Sequence, residues 1–163
     1  TLELFREQAL PLAQVITPNR FELAALTNLP TSSLEEILIA ADTLLDAGPS
    51  TVVVTSVPSL RPSQGAGHDD RIAMVAVQRD GAWQVSTPRL PGEFSGAGDL
   101  TSALFFAHSL AGESPGQALS HTASSIHGVL GATVAAGSRE LELVAAQREL
   151  VHPSAVFEAE RVR

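Results

Sequence analysis

A run of six residues, TVVVTS at positions 51–56, limits the fold of this chain more than any other segment. β-Branched residues favour strands, and an apolar run without alternation is typical of a strand that is buried on both faces. Helices must then cover both sides of the sheet that contains this strand. We therefore predict an α/β fold with a mostly parallel sheet between two layers of helices.

Helix and strand patterns elsewhere in the chain agree with this fold. Apolar spacing and capping residues predict helices at about 2–13, 19–26, 33–47, 98–111, 114–136 and 138–151. A short strand is predicted at 14–17, and Asp80-Gly81 between two alternating runs predicts an antiparallel hairpin. The Pro/Gly/Ser-rich loop at 58–70 has a length that is typical of functional or disordered segments.

The later helices carry predictions about packing. The positions expected to face the core are Leu100, Ala103, Leu104 and Ala107 in one helix, and Leu141, Val144, Ala145 and Leu150 in the last one. Gly128 and Gly131 lie inside the helix between these two. Each glycine costs about 1 kcal/mol relative to alanine, which suggests that the backbone packs closely at both positions.

Composition excludes several classes of protein. The chain has 163 residues, the length of one domain, and a net charge of −8, which argues against a nucleic-acid partner. No apolar run is long enough to cross a membrane. All ten basic residues are arginine, so a Walker-type phosphate loop and a Schiff-base lysine are excluded, and a metal ion would have to balance a polyphosphate. Without cysteine there can be no disulfide, and we expect a cytoplasmic location.

The segment SGAGD at 95–99 is the first candidate for chemistry. Gly96 and Gly98 permit positive φ angles and close approach of a ligand, so the amides of 96–99 can point at an anion where a helix begins. Asp99 in the first helical turn is favoured as a carboxylate and could accept a proton from a hydroxyl. The alternative is an ordinary turn that starts a helix with an acidic residue.

Polar residues also follow the two predicted strands that precede this segment. Asn19 and Glu22 open a helix directly after the first strand, where α/β sheets bind ligands and where a carboxylate could hold a hydrated Mg²⁺. Their spacing is equally that of a capping box. Thr55 and Ser56 end the buried strand at the same expected edge, although ordinary strand-end polarity explains them as well.

The histidines indicate little. His68 lies in the 58–70 loop beside Asp69 and Asp70, and His121 and His127 do not lie on one helical face. None of them forms the H-E-x-x-H pattern of a zinc site. We therefore do not expect a histidine to bind a metal.

Taken in order, TPNRFE at 17–22, VVVTS at 52–56, SGAGD at 95–99 and ELELVAAQREL at 140–150 resemble the pyridoxal kinases, a branch of the ribokinase-like superfamily. G-A/T-G-D before a helix is typical of the whole superfamily. TPN-x-x-E and the segment ELELVAAQREL, which we call the tail, are typical of pyridoxal kinases. The match covers nearly the whole chain but only the C-terminal part of the family pattern. It implies a ribokinase-like three-layer α/β/α fold with an antiparallel hairpin, whose N-terminal half is missing.

The resemblance implies a kinase that transfers the γ-phosphoryl group of ATP to the 5′-hydroxyl of pyridoxal, pyridoxine or pyridoxamine, with Mg²⁺ and a monovalent cation, as a homodimer. Asp99 matches the catalytic base, and Glu22 and Thr17 match cation-binding positions. The positions that match nucleotide or phosphate contacts are Asn19, Thr55, Ser56, Thr87, Pro88, Arg89, Leu90, Gly96, Ala97, Gly98 and Leu130. The 58–70 loop would flank ATP.

Two departures from the family pattern bear on activity. Ala97 stands where many pyridoxal kinases have threonine, so a hydroxyl near the phosphate is absent. Because the missing half holds the pyridine ring, we expect the isolated 163 residues to be inactive and to expose an apolar interface. Two other functions remain open. One is a hydroxymethylpyrimidine kinase, which the tail disfavours, and the other is a non-catalytic nucleotide-binding remnant, which the intact Asp99 disfavours.

Overall fold

A mixed five-stranded sheet forms the centre of the computed structural model, which describes residues 2–58 and 70–163. Its strands, in spatial order, are β1 (Val15–Ile16), β2 (Thr51–Pro58), β3 (Arg71–Gln78), β4 (Gly81–Pro88) and β5 (Glu160–Arg161). β1 and β2 pair in parallel, and the three other pairings are antiparallel. The α/β fold is confirmed, but the prediction of a mostly parallel sheet is wrong for the described strands.

The direction of the strands could not be derived from their burial. Burial on both faces requires helices above and below the strand, and the apolar run is the same whichever way its neighbours run. The hairpin at Asp80-Gly81 is confirmed: β3 and β4 pair from Arg71↔Pro88 to Gln78↔Gly81. These two long strands make antiparallel pairing the majority within the sheet.

Five α-helices accompany the sheet in the described ranges. They are α1 (Leu2–Leu4), α2 (Arg20–Thr27), α3 (Leu34–Asp46), α4 (Ala97–Leu110) and α5 (Pro115–Ala135). After α1 the chain continues as a π-helical turn and a 3₁₀ turn, so the first predicted helix is present in an irregular form. None of these helices is long and apolar enough to cross a lipid bilayer.

Alternate residues of β2 face two separate apolar cores. Val52 and Val54 pack with residues of α2 and α3, including Leu23 and Ile37. Val53 points the other way and packs with α4 and α5, where Phe105 is buried. The helices therefore lie in pairs on opposite faces of the sheet, and the predicted three-layer arrangement is confirmed.

The buried face of α4 differs from the prediction. Thr101 and Phe105 are buried, Ala103 and Ala107 are exposed, and Phe106 is 47% exposed. α4 is apolar around most of its circumference, so its alanines could not indicate which side faces the sheet. The position of the Phe105 ring decides the orientation.

The last predicted helix, at 138–151, does not form. The described structure has a 3₁₀ turn there, Gln147–Leu150, and Val144 and Ala145 are exposed rather than buried. Hydrogen bonds to other elements hold the segment, because the Ser95 amide donates to the Arg139 carbonyl and the Glu142 amide donates to Thr133 Oγ1, both at 3.1 Å. Tertiary bonds therefore override the local helical pattern.

The two glycines of α5 differ in their packing. A Cβ atom on Gly128 would overlap the side chain of Glu149, so the inference of close packing is confirmed there. Outside its own helix backbone and chain neighbours, a Cβ atom on Gly131 would meet nothing within 4 Å in the described ranges, so the inference is wrong for that position. Most of the predicted 58–70 loop, including His68 and Asp69, lies outside the described residues.

Candidate active site

A groove of about 230 Å³ lies at one edge of the sheet, where β2 and β4 end and β3 begins. α4 and α5 close its other side. Nine positions that the sequence predicted for a nucleotide line this groove: Thr55, Ser56, Thr87, Pro88, Arg89, Leu90, Ala97, Gly98 and Leu130. Residues from four separate segments thus meet at one place, at a strand end, where α/β sheets bind ligands.

The first turn of α4 presents backbone amides at this groove. Gly96 is the N-cap residue with φ of 85°, and its carbonyl accepts the Leu100 amide at 3.0 Å. By helical geometry the amides of Gly98 and Asp99 have no acceptor within the helix, so they remain available to an anion. Of the two glycines that permit a positive φ, Gly96 has one and Gly98 does not. Apart from its chain neighbours and its own helix backbone, no described residue lies within 4 Å of the place that a Cβ atom on Gly98 would take, so these residues leave the space in front of its backbone open.

Asp99 is the acidic residue in the first turn of α4, and its side chain is exposed. It follows directly after the lining residues Ala97 and Gly98. The positive end of the helix dipole favours the carboxylate form at this position. The carboxylate and the free amides are therefore adjacent, which is the arrangement expected when a proton acceptor lies beside a bound phosphate.

A strained bulge in β2 lies at the groove, which Thr55 and Ser56 line. The pairing of β2 with β3 shifts register between Val54 and Val57, and Ser56 has a φ of 56°. A non-glycine residue in this left-handed region costs of order 1–3 kcal/mol, and such strain is concentrated at functional sites. The Thr55 amide donates a hydrogen bond to the Pro18 carbonyl at 3.0 Å, so β1 and β2 end side by side.

Asn19 and Glu22 form the capping box that their spacing allowed. The Glu22 amide donates to Asn19 Oδ1 at 2.9 Å, and the Asn19 amide donates to Glu22 Oε2 at 2.8 Å. Asn19 also bridges to Thr55 across the parallel strand ends, which places it next to the groove. The side chain of Glu22 is exposed at the start of α2.

Thr17 and Glu22 line a different cavity from the predicted nucleotide positions. This second groove, which we call the apolar groove, has a volume of about 810 Å³ and lies between the first helical segment, α2 and α4. Its walls include Leu2, Phe5 and Phe106. The structure therefore does not bring the two predicted cation residues into the 230 Å³ groove.

A hydrogen bond nevertheless joins Thr17 to the first turn of α4. Ser102 Oγ donates to the Gly98 carbonyl at 2.9 Å, which leaves Thr17 Oγ1 as the donor to Ser102 Oγ at 2.6 Å. The chain of hydroxyls runs from the end of β1 to Gly98. The two grooves consequently lie on either side of the N-terminal part of α4.

His127 was not predicted as a site residue, yet it lines the 230 Å³ groove. Burial lowers the pKa of its imidazole, and the charge of Arg71 lowers it further, while Glu149 opposes both effects. The ring packs edge-on against Phe157, and its buried Nε2 has no hydrogen-bond partner among the residues that the structure describes. A neutral imidazole therefore forms part of the groove wall.

Sequence analysis also missed apolar wall residues of the groove, among them Ile72 and Met74. Two periodicities in the sequence could have indicated these wall residues and His127. Ile72 and Met74 alternate along β3, on the face that also carries Val85 and Thr87 of β4, and His127 lies three residues before Leu130 on α5. Arg89 is the one permanently charged side chain among the described lining residues.

The fold is that of the ribokinase-like small-molecule kinases. The pyridoxal kinase of Leishmania donovani, in a structure with ADP and pyridoxine, is similar with a TM-score of 0.84 at 25% identity, covering 99% of this chain and 55% of that one. The chain belongs to the family whose model is described as phosphomethylpyrimidine kinase, which matches residues 1–143. The resemblance found in the sequence is thereby confirmed.

Curated relatives of the chain are named pyridoxal kinase PdxY. The relative from Rubrobacter xylanophilus is 48% identical over 157 residues, which cover 96% of this chain and 53% of that protein. The relative from Leifsonia xyli is 42% identical over 160 residues, covering 98% and 55% respectively. The chain thus spans about half the length of the curated relatives it matches.

Proposed function

We propose that this chain is the ATP-binding and catalytic-base part of a pyridoxal kinase. The complete enzyme would transfer the γ-phosphoryl group of ATP to the 5′-hydroxyl of pyridoxal, pyridoxine or pyridoxamine. The observation that carries the proposal is the 230 Å³ groove, which collects nine predicted nucleotide positions beside the first turn of α4. Relatives named pyridoxal kinase, at 42–48% identity, support this substrate class.

Binding of the phosphates is assigned to the backbone at the start of α4. The amides of Gly98 and Asp99 are free of helical partners, and the helix dipole adds a partial positive charge. Charge that develops on the transferred phosphoryl group is stabilised by such fixed donors without reorganisation. Thr55 and Ser56 also line the groove, and their hydroxyls would add donors to the phosphates. Ala97 contributes its backbone alone, in place of a threonine hydroxyl.

Proton transfer is assigned to Asp99. Its carboxylate accepts the proton of the 5′-hydroxyl while the substrate oxygen forms a bond to the γ-phosphorus. The bond between that phosphorus and the β–γ bridging oxygen of ATP breaks at the same time, so ADP leaves with the electron pair. In phosphoryl transfer of this kind, orientation of the hydroxyl and neutralisation of charge supply most of the rate enhancement.

Magnesium fits the donors that are present. Among the described residues that line the groove, Arg89 carries the one permanent positive charge, which is too little for a triphosphate. Mg²⁺ commonly keeps several waters and binds through one or two carboxylates together with substrate phosphates. Glu22 is exposed but lines the apolar groove, so its carboxylate would reach an ion on the phosphates through water, past Asn19, which adjoins Thr55. When bound, the ion would neutralise phosphate charge. Thr17 would lie near a monovalent cation at the end of β1.

The apolar groove is assigned as the contact surface for the part of the enzyme that holds the pyridine ring. Leu2, Phe5 and Phe106 line it and are 40–47% exposed, and β1 lies at an edge of the described sheet. Apolar side chains clustered on a surface mark an interface. We propose that an N-terminal half covers this groove, that the isolated 163 residues are inactive with pyridoxal, and that the complete enzyme is a cytoplasmic homodimer.

Replacement of Asp99 by asparagine in the full chain tests the proposed function. Turnover of pyridoxal should fall by orders of magnitude, because the proton acceptor is lost, while the affinity for ATP changes little. Glu93→Gln is the matched control, since Glu93 is an exposed carboxylate in the neighbouring loop. Near-normal turnover of Asp99→Asn would exclude Asp99 as the base. A wild-type full chain that binds ATP without turnover would identify a non-catalytic remnant.

The description of the family model favours one alternative substrate. A hydroxymethylpyrimidine kinase would use the same groove and the same base on a related hydroxymethyl group. Comparison of kcat/KM for pyridoxal and for hydroxymethylpyrimidine, in the same preparation of the full chain, decides between them. A ratio that favours hydroxymethylpyrimidine would overturn the assignment to vitamin B6 salvage.

A further inference from the structure

Two histidines and a glutamate meet at the corner where α4 leads into α5. His108 Nδ1 lies 2.9 Å from Glu113 Oε1, and His121 Nδ1 lies 2.8 Å from Glu113 Oε2. The three ligand atoms, one from each residue, all lie within 4.8 Å of one another. Each side chain therefore directs a potential metal-binding atom towards one centre.

The backbone holds these three residues in place. His108 is in the last turn of α4, His121 is in the second turn of α5, and Glu113 is in the loop between them. Gly112 has a φ of 86°, and the Glu113 amide donates to the His108 carbonyl at 3.3 Å, so the loop turns back over α4. The ligand positions are thus fixed by two helices and a tight turn.

Access from solvent is retained on one side of the cluster. The side chains of His108 and Glu113 are 23% and 24% exposed, whereas that of His121 is 52% exposed. An ion could therefore enter past His121 and bind against two anchored ligands. The cluster does not line the 230 Å³ groove, and His108 lies nine residues, or about 14 Å along the helix, from Asp99.

The chemistry of the donors selects the class of ion. Imidazole nitrogens suit Zn²⁺ and its transition-metal neighbours, whereas Mg²⁺ prefers oxygen ligands. Two histidines and one glutamate, with a fourth position for water, are a recognised ligand set for zinc. Ligand atoms on a tetrahedral zinc are about 3.3 Å apart. The contact between the ligating carboxylate oxygen and its histidine therefore needs to lengthen by about half an ångström, while the three ligand atoms, now within 4.8 Å of one another, draw around the ion.

We propose that His108, Glu113 and His121 form a binding site for a divalent transition metal of the zinc class. Nδ1 of each imidazole and one carboxylate oxygen are the ligands, and the imidazole protons move to Nε2 when the metal binds. The site goes beyond the proposed kinase function and does not depend on it. Sequence analysis could not find it, because the ligands come from two helices and a loop.

Metal titration of the full chain, freed of metal by a chelator and without nucleotide, tests this site. Zn²⁺ binding is measured by calorimetry, and Co²⁺ binding by the visible absorption of a four-coordinate ion. We expect one saturable equivalent that raises the melting temperature of the protein. His121→Ala, at the most exposed ligand, and Glu113→Gln should each weaken binding by at least about tenfold.

The control is His152→Ala, which removes an exposed histidine outside the cluster and should bind Zn²⁺ as the wild type does. The two cluster variants should also lose the shift in melting temperature with Zn²⁺. Absence of a saturable equivalent in the wild type would overturn the proposal. Equal affinity in wild type and His121→Ala would overturn it as well.

Discussion

Replacement of Gly98 by alanine should stabilise the protein and weaken nucleotide binding at the same time. Gly98 lies in the first turn of α4, lacks a positive φ, and has free space where a Cβ atom would lie. Glycine in a helix costs about 0.5–1 kcal/mol relative to alanine. For a chain of this size about 1 kcal/mol corresponds to roughly 2–4 °C, so we expect the melting temperature to rise by about 1–4 °C.

The same methyl group would occupy the space in front of the Gly98 backbone, where the phosphate is proposed to bind. A hydrogen bond to a charged group contributes about 1.5–3 kcal/mol, so loss of one amide contact should weaken ADP binding about tenfold or more. Scanning calorimetry without nucleotide measures the stability. Titration calorimetry with ADP and Mg²⁺ measures the affinity.

Two further glycines serve as controls for this experiment. Gly131→Ala, in α5, also has free space for a Cβ atom, so it should stabilise the protein by a similar amount and leave ADP binding unchanged. Gly96→Ala should destabilise it by about 1–2 kcal/mol, because φ is 85° at that position. A stabilised Gly98→Ala variant with wild-type affinity for ADP would show that the phosphate does not bind in front of the Gly98 backbone.

Three other predictions concern the core, the groove and the metal ligand. In the 163-residue chain, Phe105→Ala should lower the free energy of unfolding by about 3–5 kcal/mol in urea titrations. Phe106→Ala, at the exposed neighbouring position, should lower it far less. Equal losses would contradict the observed buried face of α4. Because the pKa of His127 is lowered in the folded state, its contribution to stability is full above pH about 6.5 and is lost as pH falls from there towards the folded-state pKa. The free energy of unfolding of His127→Gln should therefore depend less steeply on pH over that window. An unchanged slope would show that His127 does not cause the pH dependence. Glu22→Gln should raise the Mg²⁺ concentration needed for half-maximal turnover, whereas a capping residue alone would lose about 1 kcal/mol of stability and leave the Mg²⁺ requirement unchanged.

Local signals predicted most of the elements because those signals agree with the packing. Ser33 and the capping box of Asn19 with Glu22 mark helix starts that the structure contains. The tail at 138–151 has an equally helical pattern, yet its backbone is bound by Ser95 and Thr133, which are remote in sequence. No window of the tail alone contains that information. The direction of the strands was undetermined for the same reason.

The candidate site was predicted where resemblance fixed positions along the chain. Thr55, Ser56 and Ala97 were named from motifs and lie on one groove. The sequence could not indicate that Glu22 and Thr17 face a second cavity, because that depends on the orientation of α2 and α4. His127 was missed because a single histidine in an apolar helix carries no motif.

The hydrogen bond from Ser95 to Arg139 has a consequence for motion. It joins the loop before Gly96 to the segment that follows α5, and a parallel bridge between Ser95 and Glu140 strengthens the connection. The loop before α4 is therefore tethered on its upstream side and cannot close over a nucleotide alone. Any such closure must carry the 138–142 segment with it, so amide hydrogen exchange in that segment should slow when ADP binds.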